Sequence, residues 1–503
     1  MLHRFFGGVH PSGHKGYTEG CPITPLPQPP DRVVLPMSQH VGAPCAPTVA
    51  VGDSVTVGQV IGEPTNLGAP IHASVSGKVV AVEPRPHVNG GSVMAVVIEN
   101  DGLDTPADPI PRPNKPARLT PTELVEVIRA AGITGMGGAG FPAHVKLSSA
   151  LGKVDTLILN GVECEPYITA DHRLMLEYPE KIIQGGRILM NALGLEKCTI
   201  GVEANKLDAV EVLRSKAPAD VEVRPLRVRY PQGSEKPLIQ AITGRQIPPG
   251  GLPAHVKCAV FNVATAAAIC DAVYEGKPMT HRVVTVTGKG VVQPGNFLVP
   301  LGTPLETLVE AAGGMKGLPG RVLSGGPMMG VAQYDLTAPV VKGSNALVVM
   351  SGREYAPTPK GELTCLHCGR CVAACPMHLV PLSFHQRFSA GNFDQLEGLR
   401  IFDCLECGSC AYICPAHIPL VQSIRAGKFE ARQLQAAAKA AQEAAKAEEA
   451  AEAKKATETA APEAEKTAEA AAKSPETSPE TTTEPETASP VEDADREKEA
   501  SPT

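Results

Sequence analysis

Apolar positions recur with different periods along the chain. Between residues 31 and 100 they fall in short runs cut by glycine, such as Val49-Ala50-Val51-Gly52 with Val55-Thr56-Val57-Gly58, and Ile71-His72-Ala73-Ser74-Val75. Such runs predict short strands in a small β-sandwich. The preceding residues 1–30, rich in Gly, Pro and His, read as an extended arm, and the proline-rich stretch 101–118 as a linker. Thr120-Pro121-Thr122-Glu123 then forms a capping box with proline at the first helical position, and Leu124, Val127 and Ile128 follow at helical spacing. Beyond Gly132, strands expected at 156–159 and 198–202 alternate with helices near 179–193 and 263–274. That alternation predicts an α/β domain. Between 281 and 340, strand, turn and short helix alternate around Val283–Gly288, Pro294-Gly295 and Leu301–Leu305, which reads as a β-grasp-like module.

The fold expected is therefore multidomain, mixing α/β and α+β. Its parts are an N-terminal arm and β domain (1–115), an α/β domain (116–280), a β-grasp module (281–345), a cysteine-rich domain (355–428) and a tail (430–503). The tail contains Ala, Glu, Lys, Thr and Pro with few large apolar residues, so it cannot bury enough surface to fold, although 431–456 has helix-forming composition.

Charge sharpens this picture. The 503 residues carry a formal net charge of −7, but the residues from Glu430 onward hold 18 acidic and 9 basic side chains, which leaves a body of +2. A near-neutral body without a basic stripe gives no footprint for nucleic acid. No run of about 20 apolar residues offers a membrane span. The N-terminus lacks the apolar stretch of a secretory signal, so a reducing compartment is expected, where 14 cysteines read as metal ligands rather than disulfides.

Eight of those cysteines form two sets. The first is Cys365-x2-Cys368-x2-Cys371-x3-Cys375-Pro376 and the second Cys404-x2-Cys407-x2-Cys410-x3-Cys414-Pro415. Three thiolates in a tight loop hold three irons of a cubane, and the fourth crosses to the other cluster. The expected assignment is Cys365, Cys368, Cys371 and Cys414 to one 4Fe–4S cluster, and Cys404, Cys407, Cys410 and Cys375 to a second. Structural zinc would use two pairs and has no need of the third close cysteine. Cys21, Cys45, Cys164, Cys198, Cys258 and Cys270 lack ligand spacing and read as packing residues.

A glycine loop, Gly135-Met136-Gly137-Gly138-Ala139-Gly140-Phe141-Pro142, fits G-x-G-x-x-G. It follows a helical segment rather than a strand, so a standard dinucleotide fold is not expected. The buried-strand pattern Thr156–Asn160 leads into Gly161-Val162-Glu163-Cys164-Glu165-Pro166, where α/β folds place ligands. Tyr230-Pro231-Gln232-Gly233-Ser234-Glu235-Lys236 and Asn262-Val263-Ala264-Thr265 come later.

In this order the four segments resemble the NADH-binding flavoprotein subunit of respiratory complex I. With Gly8-Val9-His10-Pro11, Gln39-His40-Val41-Gly42-Ala43-Pro44 and the two cysteine sets, the chain over roughly 5–425 resembles the RnfC/RsxC family, a component of Rnf/Rsx ion-translocating electron-transport complexes. Residues 31–100 resemble the barrel-sandwich fold of biotinyl and lipoyl carriers. Their apex segment 62–68 lacks the carrier lysine, so a structural or docking role is expected. Residues 281–340 resemble the soluble-ligand-binding β-grasp module.

The resemblance implies site residues. Gly135, Gly137, Gly138 and Ala139 would line FMN, with Lys146 near its phosphate. Asn160, Glu163, Tyr230, Gly233, Asn262 and Thr265 would complete the pocket, and Phe141 would stack on the nicotinamide nucleotide. Glu165 and Glu235 would stand near flavin and nucleotide as the catalytic pair. Ser234 replaces an acid of the complex I pattern, and Tyr167 stands where a small residue is usual. The function implied is electron transfer between NADH, FMN and two 4Fe–4S clusters in a translocase. Its partners would be integral-membrane and ferredoxin-like subunits, with the chain docked peripherally on the cytoplasmic face of the bacterial inner membrane. The rival readings are a flavin-free polyferredoxin scaffold and a soluble flavin and iron–sulfur subunit of a formate dehydrogenase or hydrogenase.

Overall fold

The structure is a computed structural model that describes residues 5–111, 119–138, 140–354 and 364–470. Ala139 and most of the linker, 112–118, lie outside the described residues, as does 471–503 of the tail. The chain divides into two units, 1–432 and 433–503.

In the first unit, two sheets make the N-terminal β domain. One orders Arg32–Pro36, Ser92–Asn100, Gly77–Pro86 and Ser54–Val55; the other orders Cys45–Pro47, Val60–Pro64 and Ile71–His72. Val33, Leu35, Ile61, Ile71, Val79, Val96 and Ile98 close the space between them, each with no measurable exposure. The alternation seen in the sequence is thus that of a sandwich with a dry interior.

A four-stranded parallel sheet follows, in the order Val221–Leu226, Cys198–Glu203, Thr156–Gly161, Cys258–Asn262. Leu157, Ile158 and Leu159 are buried in succession, as a strand covered on both faces requires. The helices Pro179–Ala192 and Val263–Glu275 pack together on one face. Gly185 makes this approach possible, because a Cβ there would lie 1.9 Å from the Ala266 carbonyl oxygen. The helix Pro121–Ala130 starts at the expected capping box, with Thr120 accepting from the Glu123 amide and Glu123 accepting from the Thr120 amide.

The β-grasp sheet has six strands, ordered Ile23–Pro25, Gly295–Pro300, His281–Thr287, Ala346–Ser351, Pro319–Ser324 and Val331–Ala332. Its edge strand comes from the segment read as an arm. That segment is extended but fastened throughout: it crosses the flavin-like domain, touches the cysteine-rich domain and ends as a β-strand. Lys342, fully buried, ties three parts together by donating to the Pro70 carbonyl at 2.5 Å and the Gly132 carbonyl at 2.7 Å.

In the second unit, residues 433–470 belong to the helix Leu420–Ala470. Ala, Glu, Lys and Gln have high helix propensity. The side chains described there, up to residue 450, are exposed, so propensity and not burial shapes this segment.

Candidate functional site

The glycine loop 135–142 lies between the helices Pro121–Ala130 and Ala143–Ala150, and its ends are pinned. The Gly135 amide donates to the Phe141 carbonyl at 2.8 Å, the Met136 amide to Thr265 Oγ1 at 3.0 Å and the Val41 amide to the Gly140 carbonyl at 3.2 Å. Buried Arg282 donates to the Met136 carbonyl at 3.1 Å. The two central glycines differ. A Cβ on Gly137 would fall 2.7 Å from Asn262 Nδ2, whereas one on Gly138 would meet no atom within 4 Å. Gly137 is thus a packing glycine and Gly138 faces open space. Phe141 is partly exposed beside it.

The C-terminal ends of the parallel strands carry the polar groups. Asn160 Nδ2 donates to the Gly233 carbonyl at 2.8 Å and its Oδ1 accepts from the Val162 amide at 3.0 Å. Asn262 Oδ1 caps the helix Val263–Glu275 through the Ala264 amide at 2.8 Å, while its Nδ2 donates to Asp171 at 2.7 Å. The Gly233 amide donates to Cys164 Sγ at 3.3 Å. Lys146 pairs with Glu235, and its ammonium stands 5.6 Å from the centre of the Phe261 ring. Both partners are about one-third exposed, so the pair contributes at most about 1 kcal/mol. Lys146 is therefore free to exchange Glu235 for a stronger anion.

The structure brings Gly137, Gly138, Asn160, Gly233, Asn262 and Thr265 together at these strand ends. It turns Glu163, Glu165 and Tyr230 elsewhere. Glu163 Oε1 accepts from the Asp171 amide at 2.8 Å, and Oε2 lies 3.6 Å from Lys15 Nζ. Burial pushes the Glu163 carboxyl up to about 7, while Lys15 pulls it back. Burial also raises Asp171 and draws the Arg282 guanidinium down to about 10. Lys206, fully buried, pairs with Glu203 at 3.2 Å and reaches the Glu163 carbonyl at 3.3 Å. Glu165 Oε1 takes the amides of Met328 at 2.7 Å and Met329 at 3.2 Å, from the loop that precedes Val331–Ala332. Burial raises its carboxyl and these two bonds lower it. Lys15, Asp171, Lys206, Glu203 and Arg282 carry no motif or period, and the sequence pattern does not single them out.

The cysteine-rich domain is built twice over the same backbone. Left-handed residues recur 39 positions apart: His367 and Glu406, Gly369 and Gly408, His378 and His417. The His367 amide donates to Cys365 Sγ at 3.4 Å and the Glu406 amide to Cys404 Sγ at 3.3 Å. Burial pushes the Cys404 thiol up to about 11, with Cys407 and Cys375 as its thiol neighbours. Burial likewise raises Cys410, whose thiol neighbours are Cys404, Cys407 and Cys375. Cys365, Cys368, Cys371 and Cys414 line one cleft of about 150 Å³. The thiols therefore group as crossed ligation requires.

The two groups have different surroundings. Tyr230 donates its hydroxyl to the Cys407 carbonyl at 2.6 Å, and Val9, Tyr230, Ala374 and Cys407 form one apolar cluster. At the other group Cys368 is exposed and Leu366 has 66% of its surface open.

Matches to known families follow the same divisions. Residues 3–103 match the RnfC barrel sandwich hybrid domain and 128–271 the Nuo51 FMN-binding domain. Residues 283–332 match the SLBB domain and 364–418 the 4Fe–4S dicluster domain. The RnfC component of a Na+-translocating ferredoxin:NAD+ oxidoreductase complex from Acetobacterium woodii is 46% identical over 433 residues, which cover 85% of this chain and 96% of that one. The chain belongs to the RnfC family. The RnfC component of a proton-translocating ferredoxin:NAD+ oxidoreductase complex from Clostridium ljungdahlii is 46% identical over 384 residues, covering 76% and 83% of the two chains. That of an ion-translocating oxidoreductase complex from Pseudomonas aeruginosa is 43% identical over 443 residues, covering 86% of this chain and 56% of that one.

As a member of the RnfC family the chain is an oxidoreductase subunit with FMN-binding and 4Fe–4S domains. The residues present fit both groups: an open glycine tip beside converging polar side chains, and eight thiols in two crossed sets. Among the described residues no helix is long and apolar enough to cross a membrane.

Proposed function

We propose that this protein passes electrons between a nicotinamide nucleotide and the other members of an ion-translocating complex, by way of FMN and then two 4Fe–4S clusters. The observation that carries the reading is the hydrogen bond from Tyr230 to Cys407, which joins the FMN-binding domain to one cysteine set while the other set faces outward. FMN, when bound, exchanges electron pairs with the nicotinamide and single electrons with the first cluster.

The chain's own residues prepare that exchange. Gly135, Gly137, Gly138 and Ala139 present backbone to the flavin phosphate, and Lys146 leaves Glu235 to meet the phosphate charge. Asn160, Gly233, Asn262 and Thr265 hold the wall opposite, with Glu163 beneath it. Phe141, at the rim, offers its ring to the nucleotide, and Glu165 and Glu235 set the charge around flavin and nucleotide. Cys404, Cys407, Cys410 and Cys375 hold the cluster on the flavin side. Cys365, Cys368, Cys371 and Cys414 hold the outer one, where a partner docks.

The relatives from A. woodii and C. ljungdahlii are named ferredoxin:NAD+ oxidoreductases, and the same path serves flux in either direction. The protein docks on the cytoplasmic face of the inner membrane against the integral subunits that move the ion.

Protein purified without oxygen and supplied with FMN should contain about one flavin per chain, for one pocket, and about eight iron and eight sulfide, for two cubanes. Full iron content with no flavin uptake overturns the flavin part and leaves the polyferredoxin scaffold.

A further inference from the structure

The FMN-binding domain matches residues 128–271, yet one cation at its strand ends comes from outside it. Lys15 lies on the N-terminal segment, is only 8% exposed and reaches three acceptors of the turn after the strand Thr156–Gly161. Its ammonium donates to the Glu165 carbonyl at 3.0 Å and the Ile168 carbonyl at 2.5 Å, and stands 3.6 Å from Glu163 Oε2. That carboxylate oxygen has no hydrogen-bond partner among the described residues. A lysine has three N–H donors, and here one buried carboxylate and two carbonyls claim the same ammonium. Lys206, which meets the Glu163 carbonyl, also pairs with Glu203 and does not replace it.

The rest of the segment fixes where that ammonium sits. The Tyr167 amide donates to the Gly13 carbonyl at 2.7 Å, the His14 ring stacks on Tyr167 at 4.7 Å, and Thr18 Oγ1 bonds Thr169 Oγ1 at 2.7 Å. Upstream, Val9 exchanges backbone hydrogen bonds with Tyr230 at 2.8 and 3.0 Å, and the Gly8 amide donates to the Ala374 carbonyl at 2.8 Å. Gly7 is left-handed, and a Cβ there would fall 2.7 Å from the Cys375 carbonyl oxygen, so the segment touches the backbone of a cluster ligand. One short segment thus grips the flavin-side turn and the flavin-side cluster.

We infer that Lys15 is a positioning residue of the flavin site, holding the 163–168 turn in its ligand-ready shape from outside the FMN-binding domain. The inference deepens the FMN reading and rests on it.

The test uses full-length, cluster-loaded protein stripped of flavin and titrated with FMN. Lys15→Met should raise the FMN dissociation constant by at least about tenfold, the worth of one charge-assisted hydrogen bond. It should also alter the visible spectrum of the bound flavin while iron content and cluster paramagnetic signals stay at parent values. Adding Glu163→Gln to Lys15→Met removes the stranded carboxylate and should recover part of the loss. Lys15→Gln keeps a donor, should fall between parent and Lys15→Met, and serves if Lys15→Met does not accumulate. Parent protein that takes no FMN sinks the FMN reading. Parent and Lys15 variants with equal FMN affinity and identical spectra sink the role of Lys15, even if the variants melt earlier.

Discussion

Replacing Gly138 by valine separates ligand binding from folding. A Cβ at this position meets nothing within 4 Å, and the backbone there is not left-handed. Valine therefore fits the ligand-free protein, and its effect on stability should stay within the roughly 0.5 kcal/mol of an ordinary surface change. Gly137→Val is the contrasting variant, because its side chain would run into Asn262 and strain the fold itself. If the open side of Gly138 is where the flavin phosphate lies, a valine there keeps the phosphate from the backbone amides. Each charge-assisted hydrogen bond lost costs about 1.5–3 kcal/mol. At 1.4 kcal/mol per tenfold, one such bond weakens FMN by about 10- to 150-fold. The assay is fluorescence titration of FMN into flavin-free, cluster-loaded Gly138→Val protein, with its melting temperature measured alongside. An unchanged melting temperature with FMN affinity equal to the parent would refute the placement of the phosphate on this loop.

Tyr230→Phe removes the donor to the Cys407 carbonyl; donors near a cluster raise its potential, so a redox titration followed by electron paramagnetic resonance should find the flavin-side cluster at lower potential and the outer one unmoved. Burial brings the Lys342 ammonium down to about 7 from an ordinary value of 10.5. Between those limits the unfolded chain holds a proton the folded one has released, so this group makes stability rise with pH from about 7 to 10.5. Denaturant unfolding of Lys342→Met should show that rise flattened, and an identical pH profile would contradict the buried amine. Deleting residues 440–503 removes only second-unit helix and tail, and should leave NADH oxidation with artificial acceptors at the parent rate.

The most legible features were those whose partners lie close in sequence. Each cysteine set is written within eleven residues, and the capping box at Thr120 within four. The glycine loop and the strand-end segments were readable because the strand patterns flank them. The fastening of the N-terminal segment was not readable. Lys15 meets groups 148 to 153 positions away, Gly7 meets Cys375, and Tyr230 meets a carbonyl 177 positions on. No local period encodes such contacts. A lysine among Gly, Pro and His reads as solvated until the fold surrounds it with carbonyls and a carboxylate. Glu163 and Glu165 were read together, two residues apart on one turn. Their carboxylates diverge, one toward Lys15 and the other toward Met328 and Met329, because the turn is held between two different neighbours.

The central claim is that one chain connects a nicotinamide nucleotide to two clusters through a bound flavin. Its most direct test is the addition of NADH, without oxygen, to flavin- and cluster-loaded protein, followed by paramagnetic resonance and visible absorption. The account predicts bleaching of the flavin band together with signals from reduced clusters, and loss of both changes in Gly138→Val. Reduced-cluster signals of equal size in protein that holds no flavin would contradict it.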